Sequence, residues 1–378
     1  MMNDEIQQTL ELHQLWLENN SNGRQADLSA ANLRRAKLRG ARLGQAKLRE
    51  VDLAGSDLLG ARLQGADIAA ATLREADLRG ADLIGANLSG IDLNAANLST
   101  ANLSGADVSD ADLSWAILSG AQLKGANLNG ADLSSADLST ADLNTVDLTD
   151  ADLASAKLNS ANLREAKLNG ANLRRADLRS ANLNSADLRS AKLSAADISG
   201  ATLNRADLSS TKLRATDFRG SDLSFAKIVA ADLSGANLLT ANLTGAVLSG
   251  AKLRRAFLYR ADLSQADLTN ADLDGAELGE ADLKGANLTA ADLNGANLVG
   301  ANLNNAVLNG TNLCEAKLAG AFLFGADLRK ANLYRADLSG SDLKEADLSN
   351  ADLTGANLVG AKLDGAKGIT SDQIPGRL

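Results

Sequence analysis

The stretch Ala126-Asn127-Leu128-Asn129-Gly130 decides how this chain is read, because five-residue units of its pattern run from it in both directions without an insertion. From Ala26 to Gly365 there are 340 residues, which is 68 consecutive units on the pattern A-[DN]-L-x-x in a single frame. A helix turns about 100° per residue, so a residue repeated every five would advance by roughly 140° net and the leucines would smear over every face. A flat strand alternates its side chains, and an odd repeat would send successive leucines to opposite faces. Within one unit, however, alanine and leucine are two apart and share a side. The other two positions are mostly Ser, Gly, Asn, Arg, Thr and Glu, with Gly frequent at the second, where a turn with φ > 0 favours it.

Three residues of short strand and a two-residue corner, repeated, wind the chain into an all-β solenoid with alanine and leucine inside. Identical positions in neighbouring coils then lie about 4.8 Å apart and pair by parallel-strand hydrogen bonds, so that each coil satisfies the backbone of the next. The exceptions at the central position bear on the number of faces. Ile68, Val108, Ile198, Phe218 and Ile228 all fall in alternate units. An even number of faces preserves that alternation and three would scramble it, which favours four.

On this motif the sequence resembles the pentapeptide-repeat family, over 340 of its 378 residues. The resemblance implies a right-handed quadrilateral β-helix with four units to a coil, hence about 17 coils and a length of roughly 80 Å at the inter-strand spacing. Residues 1–25 are then an N-terminal helical cap, 26–365 the solenoid and 366–378 a C-terminal cap or tail. In the first of these, Ile6, Leu10, His13 and Leu17 recur at helical spacing, joined by Leu12, Leu15 and Trp16, with Asn3 and Asp4 placed to cap the first turn. Such a helix would cover the apolar filling and open strand edges of the first coil. His13 reads as a packed or surface histidine. At the far end Lys367-Gly368-Ile369 breaks the frame, and Thr370 or Ser371 could cap a turn that lays Ile369 and Ile374 over the last coil.

Aromatic residues are only 2% and Pro375 is the one proline, too little for an ordinary globular core but enough for a narrow solenoid filled by alanine and leucine. The net charge of -9 disfavours non-specific binding to nucleic acid, so no direct nucleic-acid partner is expected. With no apolar run of eighteen residues and no signal segment, a membrane is not expected as a partner and the location reads as cytoplasmic. The single cysteine, Cys314, falls at an outward corner and fits a reducing compartment. One histidine, no cysteine cluster, no G-x-S-x-G and no phosphate loop between strand and helix leave no constellation for catalysis, a cofactor or a metal site. Outward carboxylates are many, but one per coil makes a poor calcium cage.

The charges are segregated. Ala81 to Ser155 carries eleven acidic residues and one lysine, whereas Ala156 to Gly220 carries twelve basic and six acidic ones. Positions twenty apart share a face, so Asp92, Asp112, Asp132 and Asp152 form an acidic ladder, and Arg174, Arg175, Lys192, Lys212, Arg214, Lys252, Arg254 and Arg255 a basic stripe farther along the same face. Either the outward position simply tolerates Asp, Asn and Lys, or the segments dock partners of opposite charge. Corner residues should be polar, so the column Leu239, Tyr259, Gly279, Val299, Ala319, Ser339, Val359 is an exception. Phe257 flanks it, Phe322 and Phe324 occupy the adjoining face and Tyr334 another, placing most outward aromatics in the C-terminal third. This predicts a protein partner site, or a homodimer through the C-terminal coils, centred on Leu239, Tyr259 and Val299.

Two functions follow. The first is a non-enzymatic rigid scaffold presenting flat faces to proteins. The second, implied by the resemblance, is an acidic DNA mimic that binds a type II topoisomerase such as gyrase and modulates or protects it. Against the second stand the basic stripe in the middle of the chain and the absence of loops inserted between units.

Overall fold

The computed structural model describes residues 4–369, Asp4 by its backbone alone. The helix proposed at the N-terminus is α1, Asp4–Leu17. The proposed caps at Asn3, Thr370 and Ser371, and the packing of Ile374, lie outside the described residues.

The repeat falls into two compact units, Met1–Ala191 and Lys192–Leu378, each wound in the same way. In both, the outward residue before each leucine pairs in parallel with the residue twenty positions on, as in Asp107↔Asn127, Asn127↔Asp147, Asn237↔Phe257 and Phe257↔Glu277. A register of twenty is four pentapeptides to a coil, the number the alternating Ile, Val and Phe positions favoured.

Every backbone donor of the quoted pentapeptide can be followed. Ala126 N–H donates to Leu123 C=O at 3.0 Å, closing the turn, while Asn127 N–H reaches back one coil to Ala106 C=O at 2.9 Å. Leu128 N–H and Gly130 N–H reach forward to Asp147 C=O at 2.7 Å and Thr149 C=O at 3.0 Å. The fifth donor, Asn129 N–H, has no coil to reach. It is taken by the side-chain Oδ1 of Asn127, two residues earlier, at 3.2 Å. With each turn closed from residue one to residue four and φ > 0 at its third residue (Gly130, +68°), the corners have the pattern of a type II turn. Non-glycine residues take the same conformation at other corners, as Ala30 and Trp115 do with φ of 55° and 62°.

The inside is alanine and leucine, almost all fully buried. Where a hydroxyl residue replaces alanine it bonds a backbone carbonyl in five cases, while the buried Ser56 hydroxyl has no partner among the described residues. Thr211, Ser221 and Ser341 donate to the carbonyl three residues back, and Thr216 and Thr311 to Leu193 and Leu288 of an adjacent coil. Phe218 is the largest buried side chain. The hydroxyls beside it are thus satisfied within the core, in keeping with local repacking around a ring.

The N-terminal helix sits against the first coil. Leu12 C=O accepts from Arg24 N–H, the Arg42 guanidinium pairs with Glu18 at 3.0 Å, and Leu17 lies over Gly44. Gly23 lets the chain turn back on the helix, since a Cβ there would overlap the Trp16 backbone. The first-coil leucines Leu28, Leu33, Leu38 and Leu43 are all buried.

Candidate protein-interaction surfaces

The acidic ladder is present as a structural column: Asp92, Asp112, Asp132 and Asp152 are successive parallel partners. Their chemistry differs from the sequence reading. Oδ1 of each accepts the backbone N–H two residues on, from Asn94, Ser114, Ser134 and Ala154 at 2.8 to 3.1 Å. The preference for Asp and Asn at this position is therefore not tolerance by solvent. It supplies the acceptor for the one backbone donor that the coil leaves over. Asp92 is also paired with Arg74 at 3.2 Å, and Asp152 with the Asn172 amide.

The basic stripe is less continuous than its sequence suggests. In the first unit Arg174 and Arg175 share a corner. In the second, Lys212 is followed by Asp232 before Lys252, and Lys252 by Asp272. Arg254 lies 2.8 Å from Asp274 and 3.6 Å from Asp272. Asp274 titrates below the usual carboxylate range, held there first by the Asn294 amide and then by Arg254. Lys192 and Lys212 are neighbours, and Arg214, Arg254 and Arg255 line an open depression of about 330 Å³ with Ser234 and Gly235.

Other arginines use a local clasp that sequence reading passed over. Where Arg follows Asp by two residues, its guanidinium doubles back to the same carboxylate that caps the turn. Asp77–Arg79, Asp187–Arg189 and Asp327–Arg329 do so at 2.6 to 2.8 Å. These carboxyls are held below their usual range by the arginine, against the opposing effect of burial.

In the C-terminal surface, Phe257, Val299 and Val359 are exposed, as are Phe322 and Phe324. Leu239, Tyr259 and Tyr334 are only half-exposed. Tyr259 lies over Gly279, whose missing Cβ leaves room for the ring, donates from its hydroxyl to Glu280 at 2.7 Å, and has the Arg260 guanidinium 5.0 Å from its centroid. Its phenol is pushed up by the bond to Glu280. Tyr259 is thus an anchored part of the surface. Phe257 and Val299 are more exposed than Tyr259. Tyr334 and Arg335 repeat the stacking at 5.0 Å. Phe322 takes a capping position that it cannot serve, and Phe324 N–H is instead accepted by Asn304 Oδ1 from the preceding coil at 2.9 Å.

Two exposed aromatics lie outside the C-terminal third, where most of the others are found. Trp115 is 67% exposed, more than any other large apolar residue described, and Phe225 lies against Gly245 with half its surface in solvent. Aromatic residues at the second corner position were the available signal. Cys314 is half-buried, and His13 is completely buried. Among the described residues no group of three or more His, Cys, Asp or Glu is placed to hold a metal ion, and no helix is long and apolar enough to cross a membrane.

The family model for pentapeptide repeats matches in segments, most of them overlapping, that run from residue 19 to 367. Among solved structures, the chain is 38% identical to HetL, a pentapeptide repeat protein involved in heterocyst differentiation regulation from the cyanobacterium Nostoc sp., over 60% of this chain and 90% of that one, with a TM-score of 0.28. It is 21% identical to a trypsin-treated variant of QnrB1, a plasmid-mediated fluoroquinolone resistance protein, over 50% and 84% of the two chains with a TM-score of 0.26. A pentapeptide repeat protein of the Arabidopsis thaliana thylakoid lumen is 31% identical over 30% and 59%, with a TM-score of 0.15. No curated protein sequence matches the chain.

Proposed function

We infer that this chain, which belongs to the pentapeptide-repeat family and has its right-handed quadrilateral β-helical fold, is a non-enzymatic rigid scaffold that binds protein through side chains set on its corners. The observation that carries this reading is the contrast between a fully committed backbone and a few uncovered apolar residues. In the second unit Phe257 stands exposed in a column whose other residues are polar or charged, at a position where Asp or Asn would have capped a turn, and Val299 stands exposed in the neighbouring, mostly apolar column that runs from Leu239 to Val359. A solenoid holds such residues at fixed spacing with little conformational freedom left to lose on binding. The contact is placed on Phe257 and Val299, with Val359, Phe322 and Phe324 extending it, and a second copy of the chain is one occupant that would fit. The half-buried lone thiol of Cys314 fits a cytoplasmic setting.

The second reading, an acidic surface that engages a type II topoisomerase, is favoured by the column from Asp92 to Asp152. A supercoiling assay with purified gyrase separates the two. Inhibition, or protection from a gyrase-directed drug, at micromolar protein would favour the acidic surface. No effect, together with a partner cross-linked from position 299, would favour the scaffold.

A further inference from the structure

We propose that Trp115 and Ile117, with the aspartates around them, form a separate docking surface in the first unit for a cationic protein that offers an apolar pocket to the indole. The proposal rests on the scaffold reading and names the partner class for one of its faces.

Two departures from the repeat meet within three residues. Trp115 occupies a corner at φ 62°, where glycine is favoured and a large ring gains no packing inside the coil; 67% of its surface is open. The corner residues twenty positions away on either side, Ala95 and Ser135, are small, so nothing on the column covers it. Ile117, the next outward residue, is 40% exposed and stands where Asp or Asn would have capped the Ser119 N–H. An apolar side chain in that place forgoes a hydrogen bond of the fold and contributes nothing to the core, which is the behaviour of a residue kept for contact with something else.

The corner beneath the indole is held more firmly than most. Ser114 is buried, its hydroxyl donates to Asp112 Oδ1 at 2.5 Å, and the Asn94 amide of the preceding coil donates to the Ser114 hydroxyl at 2.7 Å and to its carbonyl at 3.1 Å. Trp115 N–H is tied to Ser134 C=O at 3.0 Å. The tryptophan is therefore carried on a pre-organised base, the arrangement that lets a single aromatic dominate an interface.

The charge around it selects the partner. Asp112 and Asp132 occupy the same face in this coil and the next, and neither forms an ion pair among the described residues; Ile117 pairs on the adjoining face with Asp137, which itself lies 3.8 Å from Lys157. From Ala81 to Ser155 the only basic residue is Lys124. An apolar centre with an anionic rim complements an apolar pocket rimmed by Arg or Lys, and a guanidinium could also lie over the indole face. A second copy fits poorly, because a like face would set the ladder against itself.

The test uses the full-length chain with benzoylphenylalanine incorporated in place of Ser135, one coil from Trp115, photo-cross-linked in cells or fresh extract. A matching chain carrying the probe at Val299 serves as comparison. The expected product is a cross-link to a basic polypeptide that is lost in about 0.5 M salt, where screening acts over only a few ångströms. Its yield should fall at least about tenfold in Trp115→Ala and also in Asp112→Asn/Asp132→Asn, which keeps the turn-capping oxygens while removing the charge. A cross-link to a second copy, to an acidic polypeptide, or to any product indifferent to salt and to these substitutions overturns the proposal. So does a partner captured from position 299 with none from 135, which leaves the scaffold reading standing; no partner from either position removes both. Unchanged thermal unfolding of each variant shows that the loss is not one of folding.

Discussion

His13 Nδ1 accepts the backbone N–H of Ala26, the first residue of the repeat, at 3.0 Å, and the ring is stacked on Trp16 at 5.5 Å. A neutral imidazole can accept at Nδ1, whereas the imidazolium has only donors there. Burial is the largest cause that lowers the pKa of this histidine and nearby Arg42, itself paired with Glu18, adds to it, while the Gly44 backbone opposes them. A folded value below the unfolded 6.5 means that the neutral ring stabilises the cap above about pH 6.5 and that this contribution is lost as pH falls. As the only histidine, its C–H proton resonances can be followed without assignment. They should titrate below 6.5, with α1 loosening on acidification; a value at or above 6.5 would contradict the assigned bond.

Removing residues 1–25 should uncover Leu28, Leu33, Leu38 and Leu43, together with the open strand edges of the first coil. Aggregation at micromolar concentration is the expected outcome, measured by light scattering. A soluble product that melts as the full chain does would show that α1 is not a cap.

The turn-capping aspartates allow a clean comparison at Asp262, whose Oδ1 accepts Ser264 N–H at 2.9 Å. Asp262→Ala should destabilise the corner by about 1 kcal/mol, whereas Asp262→Asn, which keeps the acceptor, should change it little. Amide exchange at Ser264 reads this directly, with about fivefold faster exchange expected for the alanine variant alone. Equal exchange in the two variants would refute the capping role.

Phe257→Asp combined with Val299→Asp should leave the circular dichroism of the chain unchanged, because both side chains are outside the core. If a second copy occupies this face, sedimentation should report a folded monomer for the double variant and a dimer for the parent. A parent already monomeric at tens of micromolar would remove the self-association half of the reading and leave the partner half.

The winding of the coil could be read from Ala126 to Gly130 because a period of five fits neither a helix nor a flat strand, and the alternate placing of Ile68, Val108 and Phe218 pointed to four faces. Asp and Asn before each leucine were equally visible, yet their role was not, since it depends on knowing that four of the five backbone donors are already taken. Tyr259 was legible as an outward aromatic. Its bond to Glu280 comes from the next coil, and only a known register brings that carboxylate near it, whereas Arg260 is its neighbour in sequence. His13 gave even less warning, because its partner is a backbone N–H, which carries no side-chain signature.

The twenty-residue register also sets rules for how such a chain can change length. Within either unit, excision of five residues would carry every later side chain onto the next face, a quarter turn about the axis. Tyr259 and Val299, two coils apart in one column, would then cease to be aligned if the cut fell between them. Excision of one residue would be worse, driving the alanines and leucines beyond it out of their inward places. Loss or gain of twenty takes out or adds a whole coil and keeps every remaining column in phase. Length is therefore adjustable only in steps of one coil if the address of each surface residue is to be preserved.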